Sequence, residues 1–143
     1  MSKLQKNVLA VVVGVVIGGA VNMAIITVGP SIIPLPDGVD MTDMDKFAEN
    51  LKLFRPANFI APWLAHALGT LVGAFLAAKI AATAKMQFAL GIGAFFLLGG
   101  ITMVVMYGGP FWFACADLLV AYLPMGYLGG ILAGANQKPE STS

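Results

Sequence analysis

Three side chains in this sequence have the types and spacing to do chemistry together: Asn22, His66 and Asp117. His66 is the only histidine, and Asp117 is the only acid between Glu49 and Glu140. Asn22 stands seven residues before Gly29, His66 three after Trp63 and Asp117 five after Trp112. On helices rising 1.5 Å per residue, these positions lie roughly 5–10 Å in from one common edge. An imidazole beside a carboxylate favours the charged form of each partner. Within a membrane, such pairs build proton relays and substrate sites. Tyr107 and Thr70 fall in the same half, as do Thr27 and Thr102. The candidate polar cluster is therefore Asn22, His66, Asp117, Tyr107 and Thr70.

Its residue types limit the chemistry. One His and one Asp supply two metal ligands, and Cys115 stands only two residues from Asp117, so both cannot face one ion from a helix. No metal site, cofactor or catalytic residue is expected. Catalysis by His66 and Asp117 as base and orienter would need a nucleophile that the sequence does not supply. No phosphate loop, Gly-x-Ser-x-Gly or His-Glu-x-x-His motif occurs.

The elements that must hold these residues follow from composition. The chain has 143 residues, of which 59% are hydrophobic and 10% charged, with a mean hydropathy of +0.87. Soluble domains carry about 25% charged residues, so a soluble globular domain is excluded. Disorder and nucleic-acid binding also require charge that is missing here. Residues 7–36, 56–78, 86–116 and 118–137 carry no formal charge and together make up 104 of the 143. Each stretch is near or above the roughly 20 residues with which an α-helix crosses a bilayer. Runs such as VLAVVVGVVIGGAV lack the alternation of a membrane β-strand.

The expected fold is thus an all-α integral membrane protein, a single domain of four transmembrane helices in a bundle. The spans are 7–29, 59–82, 86–107 and 111–134. The first continues to Val28, too long for a signal-peptide core, and is read as a retained span. Lys3, Lys6, Lys79, Lys85 and Lys138 gather at one side, against Lys46, Lys52 and Arg55 at the other. Both termini are therefore placed in the cytoplasm, across a plasma (inner) membrane. Phe59, Trp63, Tyr107 and Phe111–Phe113 mark the outer edge.

The outer excursion, residues 30–58, opens with Pro30, Pro34 and Pro36. Thr42 with Asp45 fits a capping pattern, and Met44, Phe47, Ala48, Leu51 and Phe54 recur at helical spacing. A short amphipathic helix is expected over 42–54, lying on the outer membrane surface or across the bundle mouth. Pro124, inside the last span, has the means to kink it.

Small residues recur every fourth position. They are Ala10, Gly14 and Gly18 in span one; Ala61, Ala65, Gly69, Gly73, Ala77 and Ala81 in span two; and Gly126, Gly130 and Gly134 in span four. Such rows let helix backbones approach closely in lipid. The first functional expectation is a protein acting by helix packing, as a homo-oligomer or an accessory subunit of a membrane complex. Its partners would be lipid and itself or other membrane subunits. The second is a small transporter or proton-coupled channel component using Asn22, His66 and Asp117.

Overall fold

The computed structural model describes residues 1–136. Lys138, which contributed to the lysine balance, lies outside the described residues. The described chain is all-helical, with four helical segments long and apolar enough to cross a membrane.

Helix α1 (Lys3–Ile32) starts at a reciprocal cap. Ser2 Oγ accepts from the Gln5 N–H, and Gln5 Oε1 accepts from the Ser2 N–H. It runs past Pro30, which stands in the last turn. A 3-10 turn (Met44–Lys46) leads into α2 (Phe47–Leu53), and a second (Pro56–Phe59) leads into α3 (Ile60–Ile80). Next come α4 (Lys85–Tyr107), α5 (Phe111–Val120) and α6 (Leu123–Leu132).

Three local outcomes differ from expectation. The outer helix is shorter than 42–54, because Asp40 and Asp43 cap the turns ahead of it. Asp40 Oδ1 accepts from the Thr42 N–H and hydroxyl, and Asp43 Oδ1 from the Asp45 N–H. The last span is two helices rather than one kinked helix. The chain leaves the helical path at Tyr122 (φ −118°, ψ −79°), and Pro124 sits in the first turn of α6, where its missing N–H is tolerated. Gly134 falls past the end of the helix whose row it was expected to continue. It lies beyond α6 with φ +79°, while the Ala135 N–H bonds the Gly130 carbonyl and the Gly134 N–H that of Ile131. This is a glycine-terminated helix end, which needs a residue free of Cβ strain.

Helix α3 lies between the others. Its Ala61–Ala65–Gly69–Gly73–Ala77 row faces α1, which runs antiparallel to it. A Cβ placed on Gly18 would come 2.7 Å from the Gly69 carbonyl oxygen, and one on Gly69 2.8 Å from that of Gly18. Each glycine therefore admits the other backbone. Ala61 meets Gly29 near the outer end, and Ala77 meets Gly14 further in. Helix α6 uses two faces: Gly126 and Gly130 lie on α4 at Ala89, Gly93 and Met86, and Gly129 lies on α3 at Leu71 and Phe75. Gly100 admits the Tyr122 ring. By contrast, Gly19, Gly91 and Gly99 face open space.

Two asparagines tie the outer excursion down. Asn50 Nδ2 donates to the Asp40 carbonyl at 2.6 Å, and Asn58 Nδ2 to the Pro34 carbonyl at 2.9 Å. Phe59 packs on Phe54, Trp112 and Phe113, and Phe47 on Tyr107. At the opposite end Asn7 clamps the α3–α4 turn, bonding the Ala82 N–H and the Thr83 hydroxyl.

Candidate functional site

His66 and Asp117 each lie six residues into their helices, α3 and α5, and so meet at about 9 Å of depth. His66 Nδ1 lies 2.8 Å from Asp117 Oδ1, and the Tyr122 hydroxyl donates to Oδ2 at 3.0 Å. The imidazole stacks on the Tyr122 ring with centroids 5.6 Å apart. The Asp117 residue is 3% exposed and Tyr122 2%, whereas the His66 side chain keeps 25% of its surface open. Both carboxylate oxygens thus have partners, and the histidine is the open side of the group.

The break between α5 and α6 is what makes this possible. Asp117 and Tyr122 are five apart, a spacing that an unbroken helix would place on different faces. The turn at Ala121–Tyr122 sends the ring back along α4 to Gly100, and its hydroxyl reaches the carboxylate. The indole N–H of Trp63, almost one turn before His66, donates to the Ala116 carbonyl at 3.3 Å and ties α3 to α5 beside the site.

With Asp117 ionised, the carboxylate only accepts, so the imidazole carries a proton on Nδ1. Nε2 makes no hydrogen bond among the described residues. The group has one acid, one base and one hydroxyl donor, which suits proton exchange. Placing an Asp within a membrane helix costs about 2.5–3.5 kcal/mol on insertion scales. The two hydrogen bonds offset part of that cost.

The other sequence candidates fall elsewhere. Asn22 packs by its Cβ against Gly69 and makes no side-chain hydrogen bond among the described residues. Tyr107 sits at the outer end of α4 against Phe47. Thr70 is one turn beyond His66 on α3, 1% exposed, and its hydroxyl has no hydrogen-bond partner among the described residues. Tyr122 is a site residue that the sequence pattern did not single out. The signal available was a tyrosine two residues before a proline and five after the one acid of the last span, and it could not reveal the direction of the turn.

In the connection between α1 and α2, the ionisation of Asp40 is visibly tuned. The hydrogen bonds from the Thr42 side chain and backbone hold its carboxyl below the usual aspartate value, with Lys46 adding a weaker pull.

No protein-family model, curated protein or solved structure matches the chain. The site must be read from its own geometry.

Proposed function

We propose that this chain is an integral membrane protein, a four-helix bundle whose working part is a proton-exchanging site at His66, Asp117 and Tyr122. It would serve as a small proton-coupled transporter or channel component. The observation that carries the reading is the near-complete burial of Asp117 between an imidazole and a phenol, with the imidazole edge left open. Apolar residues would pack the same space without the cost of an intramembrane acid, so the group is read as functional.

Membrane insertion itself is supported by the four apolar segments and by the exposed Val, Leu, Ile, Met and Phe side chains along them. Lys3, Lys6, Lys79 and Lys85 at one end favour cytoplasmic termini under the positive-inside rule, in a plasma (inner) membrane. The α2 segment lies at the outer end. Helix α1 carries no titratable side chain beyond Lys6, and α4 none between Lys85 and Tyr107. α3 adds only Lys79 near its far end, α5 adds Cys115 and α6 adds Tyr127. His66 and Asp117 are therefore the groups to which proton exchange is assigned.

The test is a pH jump across phosphatidylcholine–phosphatidylglycerol vesicles holding the purified chain and an internal pH dye. The expected result is faster equilibration than in empty vesicles and at least a tenfold slowing in Asp117→Asn. Equal rates in loaded and empty vesicles would overturn the reading.

A second reading, assembly with a second copy or with other membrane subunits, has its own support. An apolar groove of about 680 Å³ runs between α1 and α4, lined by Val12, Val15, Val16, Phe88, Gly91 and Phe95 among others. Gly91 there faces open space. Native mass spectrometry in several mild detergents tests it, and a monomer in all of them counts against it.

A further inference from the structure

Helices α1 and α4 both pack on α3, and between them they leave an apolar groove of about 680 Å³. Ile92 meets Gly14 and Phe96 meets Gly18, so the two helices run parallel in a fixed register. The groove opens beside Val11 and Gln87 and ends at Val16 and Phe95. It covers roughly 12 Å of helix, close to half of the roughly 30 Å hydrocarbon core of a bilayer. Just past Phe95 the Phe96 ring lies against Gly18 and closes it. Val12, Val16, Phe88 and Phe95 form the walls, and Gly91 between them leaves space that a side chain would take.

The end at which the groove opens is positively charged. The same register sets Lys6 level with Ala84 and Lys85 level with Asn7, where Asn7 bonds the Ala82 N–H and the Thr83 hydroxyl. Both lysines therefore share one depth, within about one helical turn of Gln87. Lys3 and Lys79 lie at the same end, and all four lysines are exposed. Among the described residues none of them is in an ion pair, and no acid stands at that end. Gln87 is the one polar side chain of the lining, and it too is exposed.

We propose that this groove seats an acyl chain of an anionic phospholipid, whose headgroup phosphate is met by Lys6, Lys85 and Gln87. Lysine binds phosphate as a point charge, and basic residues beside a crevice between membrane helices select acidic headgroups. A second copy of the chain fits the charges less well. Two copies inserted the same way round would bring both sets of lysines to one end with no acid between them, and like charges so placed repel. A helix of a second copy would also run along the whole span, whereas this groove serves one leaflet. The lipid site rests on the membrane reading above and is independent of proton exchange at His66.

Native mass spectrometry of the purified chain, released from mild detergent containing equal phosphatidylglycerol and phosphatidylcholine, tests it. The monomer should retain phosphatidylglycerol at least fivefold more than phosphatidylcholine. Lys6→Gln combined with Lys85→Gln should bring the two lipids to within twofold of each other. Gly91→Leu puts a side chain into open space within the groove; it should fold and retain at least threefold less phosphatidylglycerol. Gly99→Leu, equally open but outside the groove, should retain as much as the parent. Equal retention of both lipids by the parent, or parental retention in Gly91→Leu, would overturn the proposal. So would a lipid-free parent dimer that Gly91→Leu converts to monomer, the result that a second copy in the groove would give. A chain that fails to float with phosphatidylcholine–phosphatidylglycerol vesicles on a density gradient would remove the membrane reading and the lipid site together. Vesicles that pass no protons while phosphatidylglycerol is retained would remove only the proton reading.

Discussion

The outer cap and the polar layer beneath it both bury polar side chains, but they satisfy them differently. In the cap, Asn50 and Asn58 are each 5% exposed and bond to backbone carbonyls of the same excursion. Asn58 also accepts from the Arg55 N–H at 3.0 Å. These groups hold a loop in place and have no obvious further task. In the layer below, polar groups come from α3, α5 and the α5–α6 turn, meet one another instead of local backbone, and leave capacity over. The His66 edge is open and the Thr70 hydroxyl is unmatched. A buried polar group that closes on its own backbone is sufficiently explained by folding. One that closes on distant side chains and remains incomplete calls for something more.

The strongest way to sharpen this contrast is to disturb the scaffold common to both regions. Gly69→Leu would drive a side chain into the α1 backbone at Gly18 and Asn22. It should cost about 3 kcal/mol or more and leave little folded protein by size-exclusion chromatography. Gly91→Ala, facing open space, should be folded and unchanged.

Next in size is the removal of single polar partners. Tyr122→Phe leaves Asp117 Oδ2 without its donor inside the structure. About 1–3 kcal/mol should be lost, read as a lower midpoint of thermal unfolding, together with slowed proton equilibration in vesicles. Asn58→Ala should lower thermal stability by a comparable amount yet leave vesicle proton equilibration within twofold of the parent. If Asn58→Ala slowed protons as much as Tyr122→Phe, the distinction between the two regions would fail.

The smallest effect belongs to Asp40. Its carboxyl is held below its ordinary value of 3.8 by the Thr42 hydrogen bonds. A group lowered in the folded state contributes its stabilisation fully above that ordinary value and loses it as pH falls through the lowered one. The Thr42 amide should therefore keep its hydrogen-bonded chemical shift down through pH 4 and lose it only in stronger acid. A shift that moved near pH 5 would contradict the assignment.

Much of this was legible in the residues. Charge-free stretches near or above the length of a bilayer helix correspond to four apolar helical segments, the form in which an apolar stretch meets its own backbone polar groups. The common depth of His66 and Asp117 followed from counting 1.5 Å per residue from the aromatic edge. The small-residue rows announced close backbone contacts, although Gly134 fits the spacing and ends a helix instead. Spacing reports which residues share a face, and it does not report where the helix stops.

Direction was decided only by the tertiary structure. Asn22 and Tyr107 share the half of the molecule with His66 but face Gly69 and Phe47, since rotation about the helix axis is set by whichever neighbour packs closest. Tyr122 joined the site because the chain breaks at Ala121–Tyr122, which no local pattern around Pro124 distinguishes from a simple kink. Sequence alone determined the helices and the depth of their polar residues, since both depend on local periodicity and hydropathy. Which of those residues touch was settled by packing between helices far apart in the chain.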